Sequence, residues 1–526
     1  MLVIVLPLVF FIYDTYRTLT EVKYSLFIQQ IDAKMKLILI GLQLLQFCSL
    51  TSSFLIPQIT SMPRKVISSV VLKMSSSSQS KPTVAIIGGG IAGLSCAQHL
   101  QSKYDATVFD TGRLRPGGRC SSRFPKDAPK NKKSNRDSIL SRYTIDHAAQ
   151  VLTVPVGDKE ENDDFGPFRR QVDQWEEVGL VKRFPKNSVA EIVQEDTDAS
   201  SVPIVRPLDS KHMYYCADGM GSIPLSMLKD NKINIRQDVW ISPSNGVKFV
   251  GTEGNPQWTV QTNGKKFGTF DHVVVAHNGK CADRLMSRTP AKDLHSLLKV
   301  DFRPYVPNWG GKRMTLNSIY SLTVALKKSE NGKNISDFIG DEVITAFVKN
   351  EPSLRLVTNQ SLKFGNNGND ELEVWTILSS PKFAKKFKGP QENLPQERVE
   401  EVTRLMLSSF EKSLGMEEGA IDDGLVKDSK LQLWGAAVPL NVWSPTGDSV
   451  NANNSGFMYD AENAAGVCGD WLLDPSIAGA WESGRRLANW MSEGKRGDEV
   501  SVGLPRLGGE FKMSKAAEGS GIGNVN

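Results

Sequence analysis

The sequence predicts a mixed protein, α/β with α+β parts, in which a parallel sheet with flanking helices is interrupted by a second domain of antiparallel strands and helices. Two short apolar runs, Thr83–Ile87 (TVAII) and Ala465–Cys468 (AGVC), each lead into a glycine-containing segment. Apolar runs of this length are typical of strands buried on both faces of a parallel sheet. Between them, alternating runs such as Ser318–Leu326 (SIYSLTVAL) predict the strands of the second domain.

The composition is that of a globular protein. The 526 residues are 40% hydrophobic and 23% charged, which argues against a disordered, collagenous or multi-span membrane protein. This length allows roughly two to four domains. The net charge of +5 is small for such a chain, so we expect no nucleic-acid partner.

Most of this net charge lies in residues 1–80, where seven Lys and Arg residues stand against three acids. Met35-Lys36 and the apolar segment after it have the pattern of a signal peptide, and Phe54–Ser80 has the acid-free, Ser-rich composition of a transit peptide. The apolar stretches Met1–Ile12 and Leu37–Pro57 are too short or too polar for convincing membrane spans. We therefore predict a bipartite leader that directs the protein to a plastid (chloroplast) and leaves no membrane span in the mature protein.

Other readings of the leader stay open. A single secretory signal, an uncleaved anchor, another organelle and an over-extended gene model are alternatives to the plastid.

Cysteine and histidine spacing gives no metal motif. The six cysteines contain no CxxC pair, and the six histidines contain no HExxH motif or cluster. We expect buried thiols, no metal site and no hydrolytic metalloenzyme.

The strongest motif is the glycine-rich segment after Thr83–Ile87. Gly88, Gly90 and Gly93 form GxGxxG, with Ile91 and Ala92 at the start of a helical pattern. In a βαβ unit these glycines allow a tight turn, close approach of a pyrophosphate, and close packing of helix on strand. The N-terminus of the helix then offers N–H groups and a partial positive charge to the phosphates.

Two further features follow this motif. Asp110 ends the next apolar run, about 20 residues past the glycines, where an acid binds a ribose hydroxyl pair and disfavours NADP. Gly117-Gly118-Arg119 then combines two glycines, which permit close backbone contact, with a basic side chain that can neutralise phosphate. Together the sequence predicts a dinucleotide site.

These motifs resemble those of the flavin-containing amine oxidase superfamily, of the Rossmann-like FAD-binding type found in amine oxidases and glutathione reductase. The resemblance implies FAD as the cofactor, with Gly117, Gly118 and Arg119 along its diphosphate. It also implies that Gly469-Asp470 contacts the ribityl-diphosphate region and that the backbone of Ile477 and Ala478 meets the flavin pyrimidine. Val239 matches the valine whose backbone contacts adenine. A core role for Val239 is an equal alternative.

Within this superfamily the chain is similar to renalase-like proteins. Four collinear motifs carry that similarity, together with the glycine motifs: Asp146–Gln150 (DHAAQ), Gly219–Pro224 (GMGSIP), Leu431 through Pro439, and Cys468–Trp471 (CGDW). Ala148 stands where the family usually has Gly.

The catalytic residues are not fixed by the sequence, and the candidates are Gln150, His147 and Trp434. Gln150 is placed near the flavin by the resemblance. His147, beside Asp146, is a candidate base, although packing under the cofactor is the stronger reading. Trp434 is a candidate cavity wall, with a core position as its alternative.

The resemblance also implies a discontinuous domain organisation. Residues 81–155, 230–285 and 455–495 would form the FAD-binding domain. Residues 156–229 and 286–454 would form the inserted substrate domain of antiparallel sheet and helices. Independently of the resemblance, the Gly-, Lys- and Ser-rich composition at the C-terminal end predicts a flexible tail over residues 496–526.

The resemblance implies an FAD-dependent oxidoreductase, an oxidase whose flavin N5 accepts a hydride from a small reduced substrate such as an isomeric NAD(P)H, with O2 as acceptor and H2O2 as product. We expect noncovalent FAD, because neither Cys120 nor Cys468 lies in a flavin-linking context. A flavin amine oxidase or a desaturase of the same fold is the alternative. A non-catalytic binder of the GDP-dissociation-inhibitor type is less favoured, because the nucleotide motifs are intact.

Overall fold

The apolar run Thr83–Ile87 forms the centre of a six-stranded sheet, with parallel neighbours on both sides. In the computed structural model the described residues are 80–125, 138–156, 164–194, 203–252, 254–262, 264–327, 334–365, 371–391, 393–422, 424–446, 455–493 and 499–514. The predicted leader, apart from residue 80, lies outside the described residues, and its role stays a prediction.

The strands are numbered in chain order. They are β1 Thr83–Ile87, β2 Asp105–Phe109, β3 Ser122–Arg123, β4 Ile145–Asp146, β5 Leu152–Thr153, β6 Val181–Arg183, β7 Val189–Val193, β8 Ile204–Pro207, β9 Met213–Cys216, β10 Asn234–Arg236, β11 Val247–Phe249, β12 Trp258–Thr262, β13 Lys265–Phe270, β14 His272–Val275, β15 Val300–Phe302, β16 Met314–Leu316, β17 Ile319–Lys327, β18 Thr345–Lys349, β19 Leu354–Asn359, β20 Leu372–Ser379, β21 Val426–Trp434, β22 Asn441–Pro445, β23 Phe457–Asp460, β24 Ala465–Cys468 and β25 Gly509–Met513.

The α-helices are numbered in the same way. They are α1 Ile91–Leu100, α2 Gly166–Glu177, α3 Ser222–Asn231, α4 Gly279–Met286, α5 Lys292–Leu297, α6 Gln360–Phe364, α7 Pro381–Lys386, α8 Gln396–Ser413 and α9 Ile477–Ser492. Short 3₁₀ helices span Gly118–Cys120, Ile139–Arg142, Ile335–Phe338, Asp470–Leu472 and Pro505–Leu507. Within the described part of the chain, no helix combines the length and apolarity needed to cross a bilayer.

The first sheet has the strand order β10-β2-β1-β14-β24-β23. All its neighbours are parallel except β23 and β24. Its six strands come from three separated stretches of chain, and α1 and α9 pack together on it. This is the mixed α/β fold with a Rossmann-like domain that the sequence predicts, and the prediction is confirmed.

The second sheet has seven strands in the order β21-β17-β20-β19-β18-β7-β8. Its pairs are antiparallel except β18 with β7. One face carries an apolar core covered by α7 and α8, which includes Trp375 and Phe410. The other face carries a smaller cluster that includes Ile319, Leu356, Leu378 and the partly buried Trp434. We call the second cluster the inner face.

The predicted tail is wrong for residues 499–514. β25 pairs with β22 along its whole length, and Phe511 and Leu504 are buried. Val502 also exchanges two backbone hydrogen bonds with Tyr459 in the first sheet. Glycine and lysine content suggested a loose tail, whereas the few apolar residues in this stretch anchor it to the core.

Close contact between α1 and α9 depends on small side chains, as the spacing of small residues in α9 predicts. A Cβ atom on Gly484 would lie 2.1 Å from the carbonyl oxygen of Ala92. In addition, the Ser95 hydroxyl donates a 2.7 Å hydrogen bond to the carbonyl of Trp481. The start of α1 is thereby held against α9.

We expect Gly484→Val to destabilise the protein by about 3 kcal/mol, because the added carbons meet backbone atoms that cannot rotate away. Thermal melting followed by circular dichroism measures this as a lower midpoint. Asn489→Ala, on the exposed side of the same helix, is the control and should melt like the wild type. Equal midpoints for both variants would contradict the packing of α1 on α9.

Candidate cofactor site and adjacent buried network

The glycine turn joins β1 to α1 and has the shape that its sequence predicts. Gly88 has φ +119°, and a Cβ atom there would lie 2.9 Å from the carbonyl oxygen of Ala276. A Cβ on Gly93 would lie 2.0 Å from the carbonyl oxygen of Gly88. A Cβ on Gly90, in contrast, would meet nothing within 4 Å among the described residues. The space in front of Gly90 is therefore open.

The N-terminus of α1 faces this open space without a side-chain cap. Gly90 is the N-cap residue, and the first turn, with Ile91 and Ala92, contains no acid. An uncapped first turn has N–H groups that need an acceptor. The turn is thus suited to bind an anionic phosphate.

Asp110 follows β2 and holds the glycine turn. One carboxylate oxygen accepts the N–H of Gly89 and the other accepts the N–H of Gly112, both at 2.8 Å. Burial raises the pKa of Asp110, and these two hydrogen bonds offset part of that rise. Each carboxylate oxygen has a second lone pair, so Asp110 can still accept ribose hydroxyls.

The glycine doublet lies beside the same turn. The N–H of Gly117 donates a 2.8 Å hydrogen bond to the carbonyl of Gly89, and Gly90 and Gly117 are neighbours in a parallel bridge. Gly118 has φ +54° and begins a 3₁₀ helix. Two glycine segments separated in sequence therefore line one edge of the sheet.

Arg119 and Asp470 bind each other, which their predicted roles did not anticipate. The guanidinium makes two hydrogen bonds to the carboxylate, at 2.7 and 2.8 Å, and a third, at 2.7 Å, to the carbonyl of Ala437. Burial lowers the pKa of Arg119, but the charge and hydrogen bonds of Asp470 outweigh that effect and raise it. In this structure the charge of Arg119 is balanced by Asp470, and its predicted contact with a phosphate stays a prediction.

The predicted flavin-facing helix terminus is the start of α9. Ser476 caps it by accepting the N–H of Gly479 at 3.0 Å, and no acid lies in the first turn. Ile477 and Ala478 precede the capped amide. The N–H of Gly469 donates a 2.8 Å hydrogen bond to the Ser483 hydroxyl, so the Gly469-Asp470 segment is fixed to the same helix.

Val239 lies beside Asp110, and one of its two backbone hydrogen-bonding groups is already paired within the protein. Its N–H donates a 2.9 Å hydrogen bond to the carbonyl of Asp110. Val239 lies outside β10, which ends at Arg236, and Asp238 between them has φ +53°. A contact from Val239 to adenine would therefore fall on its carbonyl oxygen.

Gln150, which the resemblance places near the flavin, belongs to a buried hydrogen-bond network in this structure. Its amide nitrogen donates to the carbonyls of Asp146 and Ala148, at 2.7 and 3.2 Å. Its amide oxygen accepts a 2.8 Å hydrogen bond from Gln360. Both ends of the side chain are thus engaged within the protein.

His147 is buried and stacks on Trp434. The ring centroids are 5.7 Å apart with an interplanar angle of 15°, and the indole N–H donates to the carbonyl of His147 at 3.1 Å. Burial, together with the nearby charges of Arg123 and Lys430, lowers the pKa of His147 to about 3. A histidine this weakly basic is a poor general base near neutral pH, so the packing reading is favoured.

A buried ion pair lies next to His147, and no motif in the sequence predicts it. The ammonium group of Lys363 lies 2.7 Å from a carboxylate oxygen of Asp146, and both side chains are fully buried. It also donates a 2.7 Å hydrogen bond to the carbonyl of Gln150. Lys363 lies on α6, a short helix capped by Asn359, 217 positions from its partner.

The motifs at Asp146 and Gly219–Pro224 meet in this network. The second carboxylate oxygen of Asp146 accepts the N–H of Met220 at 2.8 Å and the hydroxyl of Ser122. The N–H of Gly221 donates a 2.7 Å hydrogen bond to the Ser122 hydroxyl. These motif residues therefore build a structural junction between the two sheets.

Comparison with known proteins gives one family match and several distant structural likenesses. A family described as an NAD(P)-binding Rossmann-like domain matches residues 86–162. Native FqzB is 12% identical, with a TM-score of 0.41 and coverage of 78% of this chain and 76% of that chain. Wild-type putrescine oxidase bound to putrescine is 12% identical, with a TM-score of 0.43 and coverage of 78% and 98%. CmlS, a flavin-dependent halogenase, is 12% identical, with a TM-score of 0.37 and coverage of 79% and 58%.

The sequence identity to these solved structures is low, so the chemistry of the site is inferred from its own residues.

The low pKa of His147 makes stability depend on pH. The pKa of His147 is about 3 in the folded protein and has the ordinary histidine value of 6.5 in the unfolded chain. Between these two pH values the unfolded chain therefore holds a proton on His147 that the folded protein does not. Stability therefore falls on acidification, by at most about 1.4 kcal/mol per pH unit from this group. We expect the melting temperature of His147→Gln to fall less steeply than that of the wild type between pH 6.5 and 4.

The control for this comparison is His212→Gln, at an exposed position, which should follow the wild-type curve. Parallel curves for wild type and His147→Gln would show that His147 is charged in the folded protein.

Proposed function

We propose that the chain is an FAD-dependent oxidoreductase, an oxidase of the renalase-like type. The observation that supports this most is the convergence of separated segments on one edge of the parallel sheet. The glycine turn, Asp110 and the Gly117-Gly118 doublet come from the N-terminal segment, while Gly469-Asp470 and the start of α9 come from the C-terminal one. A ligand that meets both groups needs two linked halves, as a dinucleotide has.

The residues on this edge fit FAD part by part. The open space at Gly90 and the uncapped start of α1 suit the diphosphate. Asp110 suits the adenosine ribose, and the start of α9, at Ile477 and Ala478, suits the flavin pyrimidine. With Arg119 paired to Asp470, the α1 terminus supplies the main positive potential for the phosphates.

Noncovalent attachment is supported by the state of the cysteines near the site. Cys120 and Cys468 are buried. Burial raises the pKa of the Cys120 thiol well above its usual value, which removes the thiolate that a flavin link would need.

FAD, when bound, would supply the chemistry of accepting a hydride from a small reduced substrate and passing the electrons to O2, with H2O2 as product. The chain's own part is to bind, orient and exclude water. The inner face supplies apolar surface at Leu356, Leu378 and Trp434, where a pocket would exclude water. His147 stays neutral and weakly basic, which suits a substrate that gives up hydride without losing a proton to the protein. An isomeric NAD(P)H is such a substrate.

Anaerobic mixing of the purified protein with isomerised NAD(P)H or with a panel of amines tests the proposed substrate. We expect the isomerised nucleotide to bleach the flavin absorbance near about 450 nm and amines to leave it unchanged. Admission of O2 should then restore the absorbance with formation of H2O2. Bleaching by amines alone would replace the proposal with an amine oxidase.

The role of Asp110 gives a second test of the proposed cofactor. Asp110→Ala removes the ribose acceptor and two hydrogen bonds of the turn. Hydrogen bonds to a charged group contribute about 1.5 to 3 kcal/mol, so we expect FAD to bind at least about tenfold more weakly. The flavin that remains bound after gel filtration should fall accordingly when the protein is applied without excess FAD. Asp110→Arg should retain less still, since it also fills the ribose site.

Asp105→Ala, at the exposed start of the same strand, is the matched control and should keep its flavin. Full retention in both Asp110 variants would mean that the ribose is held elsewhere.

A further inference from the structure

Arg355 is a buried arginine with no partner among the described residues. Its side chain lies on β19 and is 3% exposed, and one guanidinium nitrogen, Nη1, is buried without a hydrogen bond. No carboxylate of a described residue offsets the loss of hydration, and burial lowers the pKa of Arg355 to about 10. Burial of an unpaired guanidinium is costly, so natural proteins pair such groups or use them to bind anions.

A β-bulge turns Arg355 toward the inner face of the second sheet. Leu354 opposes Ser379 and Leu356 opposes Leu378, so Arg355 is the extra residue between them. Leu354 packs in the core under α7 and α8, whereas Leu356 packs on the inner face. Because side chains alternate along a strand up to the bulge, Arg355 shares the inner face with Leu356.

Two further buried donors without partners among the described residues lie on β17 or just before it. Ser321 is on the inner face, because Tyr320 and Leu322 on either side of it pack in the opposite core. Ser321 opposes Leu378 on β17, two strands from Arg355, and its buried hydroxyl has no partner among the described residues. Asn317 accepts the N–H of Val438, while its buried amide nitrogen is unpaired in the described part of the chain. With strands about 4.8 Å apart, Arg355 and Ser321 are roughly 10 Å apart at the backbone. A long arginine side chain can cover most of that gap.

The inner face also continues to the cofactor site. Ala437 belongs to its apolar cluster, and the carbonyl of Ala437 accepts a hydrogen bond from Arg119. Trp434 belongs to the same cluster and stacks on His147. A molecule on the inner face would therefore lie beside the residues proposed to surround the flavin.

We infer that Arg355 binds an anionic group of the substrate, a carboxylate or a phosphate, with Ser321 as a second donor. Guanidinium groups pair with both anions through two parallel hydrogen bonds. The apolar neighbours Leu356, Leu378 and Trp434 would hold the body of the substrate. This inference rests on the proposed function and narrows its substrate class to anions.

The same charge disfavours simple amines. A protonated amine would enter a low-dielectric space that already holds an unbalanced cation, and like charges there repel strongly. An isomeric NAD(P)H carries phosphates and satisfies the requirement. An amine that also carries a carboxylate, such as an amino acid, satisfies it too, and the two sources can be separated by experiment.

The test compares the wild type with Arg355→Met, which keeps the length of the side chain and removes its charge. Melting temperatures are measured in chloride and, at the same ionic strength, in inorganic phosphate or in benzoate, an apolar carboxylate. We expect phosphate or benzoate to raise the wild-type midpoint and to leave Arg355→Met unchanged. A larger shift with phosphate indicates a phosphorylated substrate, and a larger shift with benzoate indicates a carboxylate.

The melting temperature of Arg355→Met in chloride, without phosphate or benzoate, is a second test. Removal of an unpaired buried charge should leave the midpoint of Arg355→Met in chloride equal to or above that of the wild type. The exposed Arg288→Met is the control and should respond to anions like the wild type. A midpoint several degrees lower, failure of Arg355→Met to fold, or equal anion responses in wild type and Arg355→Met would each overturn the inference.

Steady-state kinetics complete the test. For a substrate with an anionic group, Arg355→Met should raise KM by about 10- to 100-fold while flavin content stays the same. Arg355→Lys should recover part of this loss. If the wild type contains flavin and shows the anion-dependent midpoint but oxidises none of the substrates, the proposed function fails while the anion site stands.

Discussion

The arrangement of the candidate site depends on the ion pair between Arg119 and Asp470. These residues are 351 positions apart in the sequence. Arg119 comes after β1 and β2 of the first sheet, and Asp470 comes after β23 and β24 of the same sheet. The same guanidinium also binds the carbonyl of Ala437, which follows β21 of the second sheet. One side chain thus fixes the N-terminal segment, the C-terminal segment and the inserted chain around a single edge. Because the pair is bidentate and the Asp470 side chain is only 5% exposed, it sets orientation as well as distance.

This pairing changes where positive charge is available. With Arg119 neutralised, the proposed binding of phosphate would depend on the backbone N–H groups at the start of α1, in front of the open space at Gly90. On the other side of the site, Lys363 is neutralised by Asp146 in the same way. Arg355 is different, since no described residue balances it. Arg119 and Lys363, whose charges are balanced by carboxylates, hold the site together, whereas Arg355 is proposed to select the ligand.

Local patterns in the sequence were sufficient to predict the glycine turn, the buried strands and the start of α1. TVAII, GxGxxG and the alternation in residues 318–326 each describe a few consecutive residues whose period or glycine content fixes their backbone. The pairs Arg119–Asp470 and Asp146–Lys363 join positions hundreds of residues apart, so no local pattern reveals them. The same holds for Gln150, whose amide is taken by Gln360. The bulge that turns Arg355 exists only relative to the neighbouring strand β20.

The central claim is that this edge of the sheet binds FAD. The most direct measurement is acid release of any bound nucleotide from the purified full-length protein, followed by chromatographic identification and quantification against protein concentration. We expect the released nucleotide to be FAD, freed without proteolysis, at close to one molecule per chain. Release of NAD or NADP in its place, or protein that contains no nucleotide and takes up none from added FAD, would contradict it.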